Sequence, residues 1–358
     1  MKIVVDIRSC KGFPEMGVRS LIEFIQSIKD DFPGVEFIFL VDEATERLLR
    51  AFPEFQSIHA GRQDAGFLKK KLRKHIVLPA LIKKQKPRLI ISFHPLQKKK
   101  GRAVIWMVHD RLLLKDKKKA KKIMHDFASA GSLIITTLPG VQTVLAEVYK
   151  LPVQQVRLLT PFPVSGLHPH TPEEKQAIRE QYAGGKEYFL FYLDQQDENG
   201  FRDILKAFSQ FKKRLQSSLK IVFVMPGSAD AYNKLLSGYK YRDDVVMVAQ
   251  PFPGQLIQLS AAAYAVIVPG ALPGYTFIIT GLMQLAVPVI GPEPVGDENA
   301  VLICDTANRD DLFAKMSILY KDEKKRAEQL ASAARFLEGL SLQRSATEFS
   351  EYIKGLLT

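Results

Sequence analysis

The sequence predicts two doubly wound α/β domains, and three observations carry that prediction. Short β-branched apolar runs alternate with stretches of helical period along nearly all of the 358 residues. A zone rich in proline and glycine, residues 160–186, interrupts the alternation near the middle. The charge changes at the same place: residues 1–165 hold 30 Lys+Arg against 15 Asp+Glu (net +15), and residues 166–358 hold 21 against 23 (net −2).

The elements follow in order. Lys2–Asp6 is a first strand, and residues 17–29 are a helix with Val18, Leu21, Ile22, Ile25 and Ile28 on its inner face. Glu36–Val41, Arg88–Phe93, Ala103–Val108 and Ser132–Thr136 continue the strands, with helices expected near 66–85, 116–129 and 139–149. Residues 160–186, with Pro161, Pro163, Pro169, Pro172 and Gly184-Gly185, read as the linker zone. The second series then runs through strand Tyr188–Leu193, helix 200–215, strands Lys220–Met225 and Val245–Val248, and helix 254–263. Helices near 308–320, 322–337 and 343–356 follow. This gives a first domain over 1–165, a second over 166–340, and a C-terminal helix within 341–358 that can pack back on the first domain.

Composition narrows the function classes. With 46% hydrophobic residues the chain can fill two cores. Cys10 and Cys304 are far apart and match no metal-ligand spacing, so free thiols in a reducing compartment are expected, with no metal. No apolar run has the length of a signal peptide core near Met1 or of a membrane span elsewhere. The expectation is a cytoplasmic protein, soluble or peripheral on the inner face of the membrane.

The positive charge is concentrated between Lys69 and Lys122, in the runs 69–74, 83–88, 98–100 and 115–122. Each run alone is a solvated face, but four together, nearly free of acids, favour an anionic partner. Phe67, Leu68, Leu72, Ile76, Val77, Leu81 and Ile82 interleave with the first two runs, as an interfacial helix on anionic lipid requires. Core packing accounts for the same apolar residues slightly better. Nucleic acid is the weaker candidate partner, because the runs lack interleaved aromatics and no nucleic-acid-binding signature is present.

The most informative stretch is Tyr264–Gly291. Val266–Val268 suits a strand buried on both faces. A loop with Pro269, Gly270, Pro273 and Gly274 ends it, Thr276–Ala286 has helical spacing, and Val287–Ile290 starts another strand. Such a strand-loop-helix unit puts unpaired N–H groups and a helix dipole at the carboxyl edge of a sheet, where anionic ligands bind.

This stretch resembles the donor-site element of family-4 retaining glycosyltransferases of GT-B fold, P-S-x-x-E-G-F-G followed by E-A-M-A and G-x-P-V-I. Pro269, Gly274, Met283, Pro288, Val289 and Ile290 fall on matching positions, with Tyr275 for the phenylalanine. The resemblance covers nearly the whole chain and implies two Rossmann-like domains facing across a cleft. It also implies a nucleotide-sugar donor on the C-terminal side, a glycan or lipid acceptor on the N-terminal side, and retaining, metal-independent chemistry without a cofactor, as in polysaccharide biosynthesis. Lys2–Asp6 with Gly17, Val18, Arg19 and Ser20 resembles the family's opening strand and acceptor-side glycine turn, which makes Gly17 and Arg19 acceptor candidates. His109-Asp110, after the strand 103–108, stands where the family carries a His-Asp pair near the reacting centre, and His94 is a further acceptor candidate.

The donor positions depart from the pattern. Pro273 and Gly281 replace the two glutamates that hold the donor sugar and the ribose, and Asp194 and Asn199 replace the arginine and lysine that hold the pyrophosphate. Each lost charge-assisted hydrogen bond is worth roughly 1.5–3 kcal/mol. Gly274 and Glu293 keep their places, and Gly270, Tyr275 and Thr276 occupy the neighbouring donor-loop positions. Two expectations stand: a glycosyltransferase with a non-standard donor site, or an inactive relative that binds a glycan, lipid or partner protein.

Overall fold

In an all-parallel sheet each strand is covered on both faces, so its residues are apolar without alternation. The computed structural model of the chain shows that pattern twice. It describes residues 1–8, 14–60, 76–92, 103–107, 132–193, 198–225, 227–252, 254–269 and 274–357, apart from the side chains of residues 14–16, 44 and 199. The chain divides into one unit formed by residues up to Phe162 together with Ser341–Thr358, and a second formed by Pro163–Leu340.

In the first unit the elements are β1 (Lys2–Asp6), α1 (Pro14–Ile28), β2 (Glu36–Val41), α2 (Glu43–Leu49), β3 (Gln56–His59), α3 (Leu78–Gln85), β4 (Leu89–Ser92), β5 (Ala103–Met107), β6 (Leu133–Thr136), α4 (Pro139–Glu147) and β7 (Val156–Leu158). The sheet order is β3-β2-β1-β4-β5-β6-β7, all parallel. Helix α2 was not anticipated; Asp42 caps it by accepting from Thr45 N at 3.1 Å, and Thr45 Oγ1 accepts from Asp42 N at 3.1 Å. Of the helix expected over 66–85, the described part begins with a single π turn at 76–77 and continues as α3. Leu78 and Ile82 are buried beside Val4, Ile38 and Ile90, whereas Ile76 and Val77 remain 60% and 41% exposed. The helix expected near 116–129 lies outside the described residues.

The second unit contains α5 (Pro172–Ala183), β8 (Tyr188–Tyr192), α6 (Glu198–Leu215), β9 (Lys220–Met225), α7 (Asp230–Leu236), β10 (Val245–Ala249), α8 (Gln255–Ala262), β11 (Ala265–Ile267), α9 (Tyr275–Gln284), β12 (Val289–Gly291), β13 (Leu302–Ile303), α10 (Arg309–Lys321) and α11 (Glu323–Glu338). Its sheet order is β10-β9-β8-β11-β12-β13, again parallel. Helix α5 corrects the reading of 160–186 as a linker throughout. Thr171 accepts from Glu174 N at 3.2 Å, Glu174 Oε2 accepts from Thr171 N at 2.8 Å, Pro172 opens the helix, and Gly184 closes it at φ +59°.

The core of this unit is largely aromatic. Phe201 packs its ring 4.9 Å from Phe223 and 4.8 Å from Tyr232, and Phe189 lies 5.3 Å from Phe211. The buried Lys212 of α6 donates to the carbonyls of Ser217 (2.5 Å) and Leu219 (3.1 Å) and pairs with Asp244 at 2.9 Å, tying α6 to the entries of β9 and β10.

The last helix, α12 (Leu342–Leu357), belongs to the first unit. Phe349 packs against Phe24 of α1, which also stacks on Phe162. Ser350 Oγ donates to Asp31 at 2.6 Å, and Ser345 Oγ to the Thr160 carbonyl at 2.9 Å. Among the described residues no helix is long and apolar enough to cross a membrane.

Candidate functional site

Open parallel sheets bind ligands beyond the carboxyl ends of their strands, where the strand order reverses. In the second sheet that place is between β8 and β11, because β8 continues to β9 on one side and to β11 on the other. Ile267 lies beside Phe191, so the two strands end together. The segment carrying Asp194 leaves from β8, and the loop carrying Gly270, Pro273 and Gly274 leaves from β11. The topology thus brings the carboxyl ends of two strands that are separate in sequence to one edge.

The helix after this loop is built for close packing. Gly274 caps α9 at φ +75°, a left-handed conformation that disfavours any side chain. Gly274 itself has no side chain with which to cap the helix. Tyr275 follows, fully buried. Its hydroxyl donates to the Glu293 carbonyl at 2.9 Å and accepts from Glu293 N at 3.4 Å, which fixes the loop after β12 against the start of α9. Burial pushes the Tyr275 phenol far above its ordinary range. A Cβ at Gly291 would collide with that hydroxyl, so tyrosine at 275 requires glycine at 291.

The rest of α9 is buried on every side. Thr276 is buried, and its carbonyl accepts from Thr280 Oγ1 at 2.8 Å. Gly281 lies in the interior of the helix, which packs on α11. Gln284 ends the helix by bonding both backbone groups of Val164, accepting from its N at 2.8 Å and donating to its carbonyl at 3.0 Å.

The first sheet has its own reversal, between β1 and β4. Asp6 and Ser92 are register partners at the two carboxyl ends. The Asp6 carboxylate is fully buried; Arg8 Nε donates to Oδ1 at 2.8 Å and a terminal Arg8 nitrogen to Oδ2 at 2.7 Å. Ser92 Oγ donates to Oδ2 at 3.4 Å. Sequence reasoning missed this group. The available signal was an acid closing an apolar strand with an arginine two residues on.

The sequence matches no family model and no curated protein. Solved structures do match over the full length. HepE of Anabaena, in complex with UDP and glucose, superposes with TM-score 0.73 at 15% identity, covering 99% of this chain and 100% of that one. WaaG, a glycosyltransferase involved in lipopolysaccharide biosynthesis, gives 0.74 at 11%, covering 99% and 100%. Sucrose-phosphate synthase of Thermosynechococcus elongatus gives 0.72 at 14%, covering 99% and 99%.

This is the GT-B fold.

On the GT-B scaffold the other candidates divide by position. Gly17 and Arg19 lie within α1, which starts at Pro14, so Gly17 is helical rather than in a turn. Arg19 Nε donates to Glu23 at 2.8 Å, one helical turn on. His94, His109, Asp110, Asp194, Gly270 and Pro273 lie outside the described residues, as does the Asn199 side chain at the start of α6.

Proposed function

We propose that the chain is a glycosyltransferase that moves a sugar from a nucleotide-sugar donor to a glycan or lipid acceptor. The observation that carries this reading is the start of α9, opened by a left-handed glycine beyond β11, the strand beside β8 at the reversal of the second sheet. On this reading the dipole at the start of α9 favours the donor phosphates where the resembling enzymes use charged side chains. The match to HepE, captured with UDP and glucose, supports a nucleotide-sugar donor. Retention of configuration, independence of metal, and work at the cytoplasmic face in polysaccharide assembly belong to the same proposal. His109, Asp110 and His94, in segments that follow β5 and β4, are its reacting-centre and acceptor candidates, with Gly17 and Arg19.

One observation favours an inactive glycan-, lipid- or partner-binding protein instead. Gly281, in the helix interior, offers no side chain where the resemblance places a ribose-holding glutamate. Calorimetric titration with a panel of nucleotide sugars and free nucleotides separates the readings. Submillimolar binding of one nucleotide, weakened by Thr276→Glu, supports the enzyme; binding of none removes its nucleotide-dependent form.

A further inference from the structure

At the opposite edge of the second sheet, where its strands enter, three cations converge. Arg179 of α5 donates through Nε to the Ala262 carbonyl at 3.0 Å and pairs with Glu187, the residue before β8, at 3.1 Å. Arg326 of α11 lays its guanidinium over the ring of Tyr264, the residue before β11, 4.4 Å from the centroid. That ring is itself fixed, its hydroxyl donating to the Leu319 carbonyl at 2.8 Å. Lys175 stands one turn before Arg179. Burial, and then the charges of Arg179 and Arg326, hold its amine below the ordinary lysine range.

The group is short of acceptors. Arg326 Nε and His170 Nδ1 are out of solvent and have no hydrogen-bond partner among the described residues. Among the described residues Lys175 has no ion-pair partner, since Glu187 is held by Arg179. The other acids nearby are Glu173, exposed on α5, and Glu323, which opens α11 and acts on Tyr264. An open depression of about 680 Å³ lies along His170, Pro172, Glu173, Lys175, Gln176 and Arg179.

Like charges this close repel, and among the described residues no carboxylate forms an ion pair with Lys175 or Arg326. The two guanidiniums are instead held by a backbone carbonyl, one glutamate and an aromatic face. Guanidiniums fixed in advance gain charge-assisted hydrogen bonds to an oxyanion at little ordering cost.

We propose that His170, Lys175, Arg179 and Arg326 form a second anion site that takes a phosphate-type oxyanion, at the sheet edge away from the Gly274 loop. The depression is larger than a bare phosphate, so the group arrives on a bigger molecule, either a soluble phosphomonoester or a lipid headgroup. The site stands whether or not the chain transfers sugar.

Calorimetry on the full chain with inorganic phosphate and pyrophosphate tests it. The expected result is saturable binding that weakens about tenfold or more in Lys175→Met and in Arg326→Met, which keep the side-chain bulk. Arg326→Lys should recover part of the loss, and melting curves should show all three variants folded. Absence of binding by either anion, or equal binding by the Met variants, overturns the proposal. Sedimentation with phosphatidate vesicles, with free phosphate as competitor, then assigns the source: competed pelleting marks a lipid headgroup, and phosphate binding without pelleting a soluble ester.

Discussion

Arg8 closes on Asp6 with both arms of its guanidinium, at 2.8 and 2.7 Å, around a carboxylate that has no exposed surface. Beyond this fork the carboxylate is met by Arg8 N at 3.2 Å and Ser92 Oγ at 3.4 Å. Arg8→Ala therefore strands a buried charge and should cost about 3–5 kcal/mol. Arg8→Lys cannot reproduce the two-armed contact and should fall between. Urea unfolding midpoints check both, and a loss below about 1 kcal/mol for Arg8→Ala would show that the pair contributes little.

The start of α9 makes a second prediction. Gly274→Ala places a Cβ at φ +75° and should destabilise by about 1–2 kcal/mol. Tyr275→Phe removes the hydroxyl that joins α9 to Glu293 and should cost about 1–3 kcal/mol. Faster amide exchange in residues 292–299 should accompany the Phe variant but not a substitution on the exposed face of α11, such as Glu328→Ala.

Cys304 gives a prediction in pH. Burial first, and then the Asp311 carboxylate, push its thiol up to about 12 from an ordinary 9.0. The folded chain keeps this proton where the unfolded chain has lost it, so the contribution is complete below pH 9 and disappears between pH 9 and 12. The buried phenols of Tyr188 and Tyr275 and the half-buried phenol of Tyr239 act in the same direction. Cys304→Ala should therefore flatten only part of the alkaline fall in stability. In the native protein at pH 8, peptide mapping after iodoacetamide treatment should find Cys304 unmodified; rapid labelling there would contradict its burial.

The basic region makes the fourth. Ile82 is committed to the core, but Ile76 and Val77 remain exposed beside Lys83 and Lys84 of α3. Anionic vesicles should pellet the protein at low salt and release much of it at high salt. Ile76→Ser with Val77→Ser should weaken pelleting without changing the melting temperature. Absent or salt-insensitive pelleting would remove the membrane role.

The strands that sequence reasoning found are continuously apolar, most of them deeply buried and Val245–Ala249 half-buried. Tyr188–Tyr192 and Lys220–Met225 are almost wholly apolar, and buried parallel strands have no other composition. Gln56–His59 was missed because it is an edge strand, largely exposed and polar, and Leu302–Ile303 because two residues carry no period. Helix α5 was hidden by the prolines around it, although Thr171, Pro172 and Glu174 are its start signal. The strand-loop-helix unit at 264–291 was legible because Gly274 and the apolar helix are local features. Asp6 and Ser92 were not, since 86 residues separate them and only the pairing of β1 with β4 brings them together.

The return of α12 to the first unit sets an order of events during synthesis. The described residues of the second unit lie in one stretch of chain, Pro163–Leu340, and its aromatic core is complete once Leu340 has left the ribosome. The first unit emerges earlier but finishes later, because the Phe24 face of α1 has no Phe349 to cover it until the final helix arrives. A nascent chain stalled between Phe162 and Phe349 therefore presents an uncovered apolar face, and chaperones that hold such surfaces should engage the portion made first.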